Sequence, residues 1–487
     1  MSAFSGLDLG VLVVYLLGVT AWGAWLGRGQ AGATDYFLGS RSLPWWAVLL
    51  SVVATETSTL TFLSIPGVSY LGTMTFLQLT LGYLLGRVVV AAILLPRYAD
   101  GHLTTAYSLL TDRFGEGTRR LTSGVFMGTR LLADSVRLFA TAIPLALITG
   151  WDYPISIAVI GILTVIYTYL GGIKAVVWVD AVQMILYLVG AVLAAWVLQG
   201  AVEGGWTAIL TQAGEAGKLQ VMDLRLDPGI PYTLWGGVVG GAFLSMASHG
   251  TDQLIVQRLL TCRDLRSSRR ALIGSGVAVM GQFLVFLLIG LGLWAFYQGQ
   301  PFERSDEIFA LFIVQELPPG LTGLLIAGVF AAAMSSLSSS INALASASAY
   351  DFWAPMAGAE GDEVRILRAG KGFTLLWSVL LVGGAVVFIP LSRETSAVEV
   401  ALAVASLVYG GLLGAFALGA LRTRADAFSV KVGMVAGIGL VTLIWVFARE
   451  AVSWPWFVPV GSAVTFAVGA LLGRGPGASS GEEGRSA

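Results

Sequence analysis

Apolar residues in this chain run on for about twenty positions at a time, with neither the strand alternation nor the single stripe of an amphipathic helix. A bilayer core about 30 Å thick needs about 20 such residues in one helix. Thirteen segments meet that length: 7–27, 45–71, 74–96, 121–148, 153–171, 174–199, 233–257, 271–297, 320–349, 372–390, 397–420, 429–448 and 455–472. The pattern predicts an all-α integral membrane protein of about 13 transmembrane helices. The first segment has Asp8 at its start, no basic residue before it, and Arg28 and Arg41 behind it, the reverse of a cleavable signal peptide, so it stays as a span.

Basic residues favour the cytoplasmic side. With the N-terminus outside, cytoplasmic segments hold Arg97, Arg113, Arg119, Arg120, Arg258, Arg263, Arg266, Arg269, Arg270, Arg365, Arg368, Lys371, Arg422 and Arg424, among others. The outer loops, including the long 200–232 and 298–319, hold only Lys218, Arg225, Arg304, Arg393 and Arg449. This predicts a multi-pass plasma-membrane protein, N-terminus outside. An odd span number puts the Ser/Gly/Glu tail 475–487 in the cytoplasm, where its composition predicts disorder.

Composition agrees and narrows the function. The chain is 56% hydrophobic and 12% charged, against about a quarter charged in soluble domains. A net charge of -1 gives no footprint for nucleic acid. Cys262 alone cannot form a disulfide within the chain, and His102 and His249 are little material for zinc. No HExxH, GxxxxGK[ST] or dinucleotide fingerprint occurs, and no nucleophile, base and oxyanion grouping stands out, so an enzyme is not expected. A transporter, a transceptor that reports solute without accumulating it, and a channel compete. A channel wants a ring of like polar residues, whereas the polar residues here fall in two runs.

Charges inside spans mark function or a local pair; the candidates are Glu56, Arg87, Arg130, Asp134, Arg137 and Asp180. Glu56 sits in the hydroxyl-rich run Ala54–Thr61, ahead of Pro66–Gly67. Such a run suits a helix that unwinds part-way and offers carbonyls to a cation, or a packed, kinked helix whose threonines bond back to their own carbonyls. The second run is Ala331–Ser340, where Ser335, Ser338 and Ser339 share a helical face. Hydroxyls suit a hard cation, and small residues also suit close helix packing.

The segment Gly171-Gly172-Ile173-Lys174-Ala175-Val176-Val177-Trp178-Val179-Asp180-Ala181-Val182-Gln183 resembles the signature of the sodium/solute symporter family, with Val179 where threonine is usual. Gly250-Thr251-Asp252-Gln253-Leu254-Ile255-Val256-Gln257-Arg258 resembles a second family segment. The resemblance implies a LeuT-like core of two inverted five-helix repeats, 45–199 and 233–420. Residues 1–44 would hold an extra helix and a cytoplasmic loop, 200–232 an extracellular loop, and 421–474 two closing helices. Ligand sites in such folds lie mid-membrane beside the broken first helix of each repeat.

By the same resemblance, a shared sodium site takes the carbonyls of Ala54, Thr57 and Ala332 and the hydroxyls of Ser335 and Ser336. A second takes Asp180, Ser335, Ser338 and Ser339, so two sodium ions are expected, with protons the alternative coupling ion. Asp180 as a structural carboxylate capping its helix is the other reading. Solute contacts carried over by position are Glu56, Ser58, Thr61, Phe76, Thr80, Arg137, Ser245 and His249, with Ser248 beside them. Ser248 and Ser245 stand where sugar carriers have a tyrosine and an asparagine, so a sugar is disfavoured. If Glu56 and Asp134 neutralise two of the three buried arginines, one guanidinium remains for an anion; an Asp134–Arg137 pair within one helix is the alternative. Glu56 and Arg137 are expected within ion-pair reach, or bridged by solute. The predicted function is sodium-coupled import of a small organic anion such as a monocarboxylate, with an amino acid or another neutral solute as the alternative. Solute, sodium and the lipid bilayer are the only partners implied.

Overall fold

Helices pair their own backbone, as lipid requires, and the computed structural model is helical throughout, with one isolated backbone bridge between Leu43 and Cys262 among the described residues. It describes residues 5–100, 103–302, 305–391, 397–421 and 423–473. The expected tail 475–487, His102, Arg304, Arg393 and Arg422 lie outside them. The principal helices are α1 (Gly6–Leu26), α2 (Trp45–Glu56), α3 (Thr59–Leu71), α4 (Leu77–Asp100), α5 (Thr111–Thr149), α6 (Tyr153–Ala201), α7 (Gly241–Gly250), α8 (Gln253–Leu260), α9 (Leu265–Phe296), α10 (Leu321–Ala347), α11 (Glu363–Leu391), α12 (Ala397–Ala420), α13 (Ala427–Phe447) and α14 (Phe457–Leu472).

Each predicted span coincides with a helix or with helix pieces. Among the described residues, eight helices are long and apolar enough to cross a membrane, and nine if the bent α2–α3 pair counts as one span. The 49-residue α6 covers two predicted spans; straight, it would reach roughly 74 Å, more than twice a bilayer core. It breaks at Gly172, whose φ of 52° and ψ of -154° suit glycine, and where a Cβ would stand 2.5 Å from the Tyr36 carbonyl oxygen.

Two spans are broken. The α2–α3 pair bends by 63°, with Thr57 (φ -88°, ψ 97°) and Ser58 (φ -86°, ψ 169°) extended between the halves. Segment 233–257 interrupts at Thr251–Asp252, where the Asp252 carboxylate caps α8 by accepting the Leu254 N–H at 2.9 Å. The breaks fall in the helices that the inverted-repeat reading makes the first of each repeat.

α1 spans between distant parts of the core. At its N-terminal end the Asp8 carboxylate accepts N–H groups of Gly320 and Gly323 at 2.7 and 2.8 Å, which ties it to the start of α10. At its other end a Cβ on Gly27 would lie 2.1 Å from the Gly171 Cα, so α1 and α6 touch backbone to backbone. Tyr167 of α6 donates its hydroxyl to the Met334 carbonyl of α10 at 3.1 Å.

Candidate functional site

The break after α2 removes the donors that the last carbonyls of a helix would otherwise meet. Ala54 and Thr57 face Ala332 and Ser335 of α10 across a small space, with Gln183, Met184 and Tyr187 of α6 completing its wall. The Ser335 and Ser336 hydroxyl oxygens are buried and, among the described residues, neither has a hydrogen-bond partner. Buried polar groups are normally paired. The Ala54, Thr57 and Ala332 carbonyls and the free Ser335 hydroxyl offer oxygen alone, which is what a hard cation accepts, and so fit the shared sodium set, whereas Ser336 borders a neighbouring small space with Asp134, Arg137 and Thr141.

Asp180 lies on α6 across from α2 and α10, fully buried. Its Oδ2 accepts the Ser51 hydroxyl at 2.6 Å and the Arg258 guanidinium at 3.0 Å. Arg258 was expected in a cytoplasmic segment, and the structure corrects this: the cap at Asp252 starts α8 inside the protein and carries Arg258 into the core, with no exposed side-chain surface. There it also donates to Ser51 Oγ at 2.8 Å, to the Leu254 carbonyl at 2.7 Å and to Ser339 Oγ. Ser338 and Ser339 donate their hydroxyls to the Ser335 carbonyl at 3.0 and 2.5 Å. Asp180 therefore belongs to a buried ion pair in this structure, and its Oδ1 has no hydrogen-bond partner among the described residues.

A separate cavity of about 150 Å³ opens beside the α2 break, bounded by Glu56, Arg130, Arg137, Ser245, Ser248 and His249, with the Tyr83 and Tyr409 side chains. Glu56 pairs with the fully buried Arg87 of α4 and lies 3.5 Å from His249 Nε2. His249 Nδ1 and the Ser248 hydroxyl share a hydrogen bond of 2.8 Å. Arg137 is held by Asp134 at 3.0 Å, while its side chain keeps 20% exposure. Asp134 also accepts the Ser340 hydroxyl at 2.6 Å, tying the solute side of α5 to the serine run of α10.

No direct ion pair joins Glu56 to Arg137, which leaves the other expectation, bridging by solute. Both face the one cavity, but nearer partners, Arg87 and Asp134, take their charges. The expected spare guanidinium also fails as simple counting, because Asp252, bonded to Arg130 and Tyr409, and Arg258 join the balance. Arg87, Arg130, Arg137 and Arg258 face Glu56, Asp134, Asp180 and Asp252. What distinguishes Arg137 is position: it is the most exposed of these four arginines and it borders the cavity.

Glu56, Arg137, Ser245 and His249 thus come together, whereas Ser58, Thr61, Phe76 and Thr80 do not border the cavity. The bend takes α3 off in a new direction, leaving Ser58 and Thr61 within 3.5 Å of each other. Thr80 bonds back to the Leu77 carbonyl at 2.7 Å, and Phe76 packs its ring on Tyr232 and Phe283. Residues that the sequence reading left out, Arg130, Tyr83 and Tyr409, border the cavity instead. Of these only Arg130 carried a signal, a charge in mid-span.

The model of the sodium:solute symporter family matches residues 36–427 of this sequence. The chain belongs to that family. The symporter is 29% identical to the sodium/sialic acid symporter NanT of Aliivibrio fischeri, over 96% of this chain and 93% of that one. It is 30% identical to the human sodium/iodide cotransporter, covering 91% of this chain and 70% of that one. Its backbone superposes, with a TM-score of 0.87 and 29% identity, on a sodium-coupled sialic acid symporter solved substrate-bound and outward-open with a novel sodium site. That match covers 96% of this chain and 98% of the other. The LeuT-like fold class expected from the sequence holds, and the protein is a sodium-coupled symporter. Its relatives are transporters rather than enzymes.

Proposed function

We propose that this symporter imports a small organic anion, with two sodium ions per solute, across the plasma membrane with its N-terminus outside and its C-terminus cytoplasmic. The observation that carries the solute class is Arg137. Its guanidinium borders the cavity, part-exposed, held from one side by Asp134. A guanidinium has five donors in a fixed fork that matches a carboxylate, and one acceptor does not exhaust them. The cavity, at about 150 Å³, is smaller than the roughly 300–1,000 Å³ of drug-sized ligand sites, which suits a small solute. The named solutes of the two relatives above, sialic acid and iodide, are also anions.

Two sodium ions are supported by the two sets of free oxygens: Ser335 and Ser336 at the shared site, and Asp180 Oδ1 beyond it. An ion that joins the α2 break to α10 stabilises the arrangement that also holds solute, so each raises the other's affinity. An inward-negative potential adds about 2.3 kcal/mol per charge per 100 mV, which a second ion doubles.

One observation favours a second reading. Glu56 keeps 21% exposure at the cavity beside His249, where it offers an acceptor to an ammonium group, as an amino acid would require. Uptake into proteoliposomes of labelled monocarboxylates, other organic anions and amino acids, with and without a sodium gradient, tests both. Accumulation of an organic anion only under the gradient is expected; accumulation of amino acids alone would replace the first reading with the second.

A further inference from the structure

The two broken spans are joined at one end. The Leu43 N–H, just ahead of α2, donates to the Thr261 carbonyl, just after α8, at 3.1 Å, and forms the backbone bridge between Leu43 and Cys262. Beside the bridge lies a cavity of about 140 Å³, lined by Leu95 and Tyr98 of α4 and by Leu259 and Leu260 of α8. Each side of the bridge adds an arginine to its border, Arg41 from the loop before α2 and Arg263 from the turn after α8.

Neither guanidinium meets a carboxylate among the described side chains. Each bonds only to a backbone carbonyl, Arg41 to Leu103 at 2.9 Å and Arg263 to Ser42 at 3.5 Å. Asp264, on the same border, caps α9 instead, accepting the Ser267 N–H at 2.8 Å and the Ser267 hydroxyl at 3.2 Å. A half-buried cation without a counter-charge is costly. Arg41 is also held there against backbone preference, since it and Ser40 are left-handed, with φ of 50° and 52°. Trp45 and Trp46 open α2 just beyond, 39% and 45% exposed. Tryptophans so placed on a membrane protein lie at headgroup level, which sets this cavity among the lipid phosphates.

We propose that the cavity binds the phosphate of an anionic phospholipid, gripped between Arg41 and Arg263. Two guanidinium forks suit a phosphate, and basic pockets between membrane helices take acidic headgroups. With Asp264 engaged at α9, no described carboxylate is left to receive a choline or ethanolamine ammonium, so a headgroup of net negative charge fits. Because each arginine belongs to one of the two broken spans, a lipid held by both braces the junction between them. Leu254 and Ile255 of the same eight-residue α8 border the solute cavity, so the lipid is one short helix away from the solute. The assignment does not depend on which solute is carried or on how many ions accompany it.

The test uses the full chain in nanodiscs of phosphatidylcholine alone or mixed with phosphatidylglycerol, read as melting temperature and as lipid retained in native mass spectrometry. The wild type is expected to retain phosphatidylglycerol and to melt higher in the mixture, as a ligand of the folded state requires. Arg41→Gln and Arg263→Gln are each expected to weaken that retention by about fivefold, the effect of one basic residue near a lipid surface. Both should also lose most of the gain in melting temperature. Arg263 is exposed, so its variant should melt like the wild type in phosphatidylcholine and carries the test if Arg41→Gln does not fold. Arg270→Gln, exposed and outside the cavity, measures the effect of general surface charge. Variants that retain the lipid like the wild type would overturn the proposal, and so would an equal loss in Arg270→Gln. Inorganic phosphate added to phosphatidylcholine nanodiscs separates the sources: stabilisation as strong as that by phosphatidylglycerol would replace the lipid with a soluble phosphate compound.

Discussion

Arg258 donates to Asp180 at 3.0 Å, and neither side chain has any exposed surface. The pair joins α8 to α6 across the core, and through Ser51 and Ser339 it also reaches α2 and α10. Taking both charges out of water is expensive, and breaking such a pair leaves one uncompensated. Arg258→Met alone is expected to destabilise the protein by about 3–5 kcal/mol. Arg258→Met with Asp180→Leu should recover most of that stability while sodium stabilisation is reduced. Thermal and denaturant unfolding of the two singles and the double gives the coupling, and additive losses would show that the pair is not a unit.

Ser336→Ala is expected to leave melting in potassium unchanged, because the hydroxyl makes no hydrogen bond among the described residues. In sodium the half-saturating concentration should rise by about tenfold, the equivalent of ~1.4 kcal/mol. Equal sodium titrations for variant and wild type would remove Ser336 from the site.

Arg137→Gln should raise KM for the transported anion by roughly ten- to a hundredfold, while Arg137→Lys keeps the charge and recovers only part of the affinity, since an ammonium lacks the paired donors. Sodium binding without solute should change less than solute binding, because Arg137 borders the solute cavity and not the space between Ala54, Thr57, Ala332 and Ser335, although it shares a second small space with Ser336. A sodium defect equal to the solute defect would contradict this division.

Two ions per solute make a specific electrical demand. In proteoliposomes the reversal potential of transport should follow a ratio of two sodium ions to one solute, and Asp180→Asn should lower the Hill coefficient for sodium from near two towards one. A wild-type ratio of one returns Asp180 to a purely structural role with Arg258.

Cys262, at 5% exposure in the turn between α8 and α9, gives a probe of folding. Burial pushes its thiol up to about 12, so at pH 8 the thiolate fraction is on the order of 10⁻⁴, whereas an exposed cysteine ionises near 8.5. Maleimide labelling of the native protein should be slow and should accelerate at the melting transition. Rapid labelling below that temperature would mean that the turn opens in the native state.

The spans were legible because lipid imposes a length on every apolar run, and the break after Glu56 because hydroxyls and a carboxylate crowd one mid-span stretch. The unpartnered hydroxyls of Ser335 and Ser336 fall in the polar run that the family resemblance singles out. The partners were not. Arg258 sits one residue past an apolar run, where the charge rule reads it as cytoplasmic, and its carboxylate is 78 positions away. Nothing local announces that contact, although an arginine so close behind Leu254, Ile255 and Val256 could have been suspected of being carried inside. Arg87 answering Glu56 and Asp252 answering Arg130 have the same origin in long-range packing. Phe76 and Thr80 failed as cavity residues because transfer by position fixes a place on a helix but not the bend that aims it.

α1 is fixed at both ends, by Asp8 to the start of α10 and by Gly27 against Gly171. Sliding α6 past α10 would tear the first attachment or drive backbone into backbone at the second. These three helices therefore form one girder, and Asp180 and the serine run are mounted on it. The proposed shared ion site would take its remaining oxygens from the end of α2, on the far side of a seam. Sodium bound there would act as a clasp across that seam, and losing it would let the broken helices swing free of the girder.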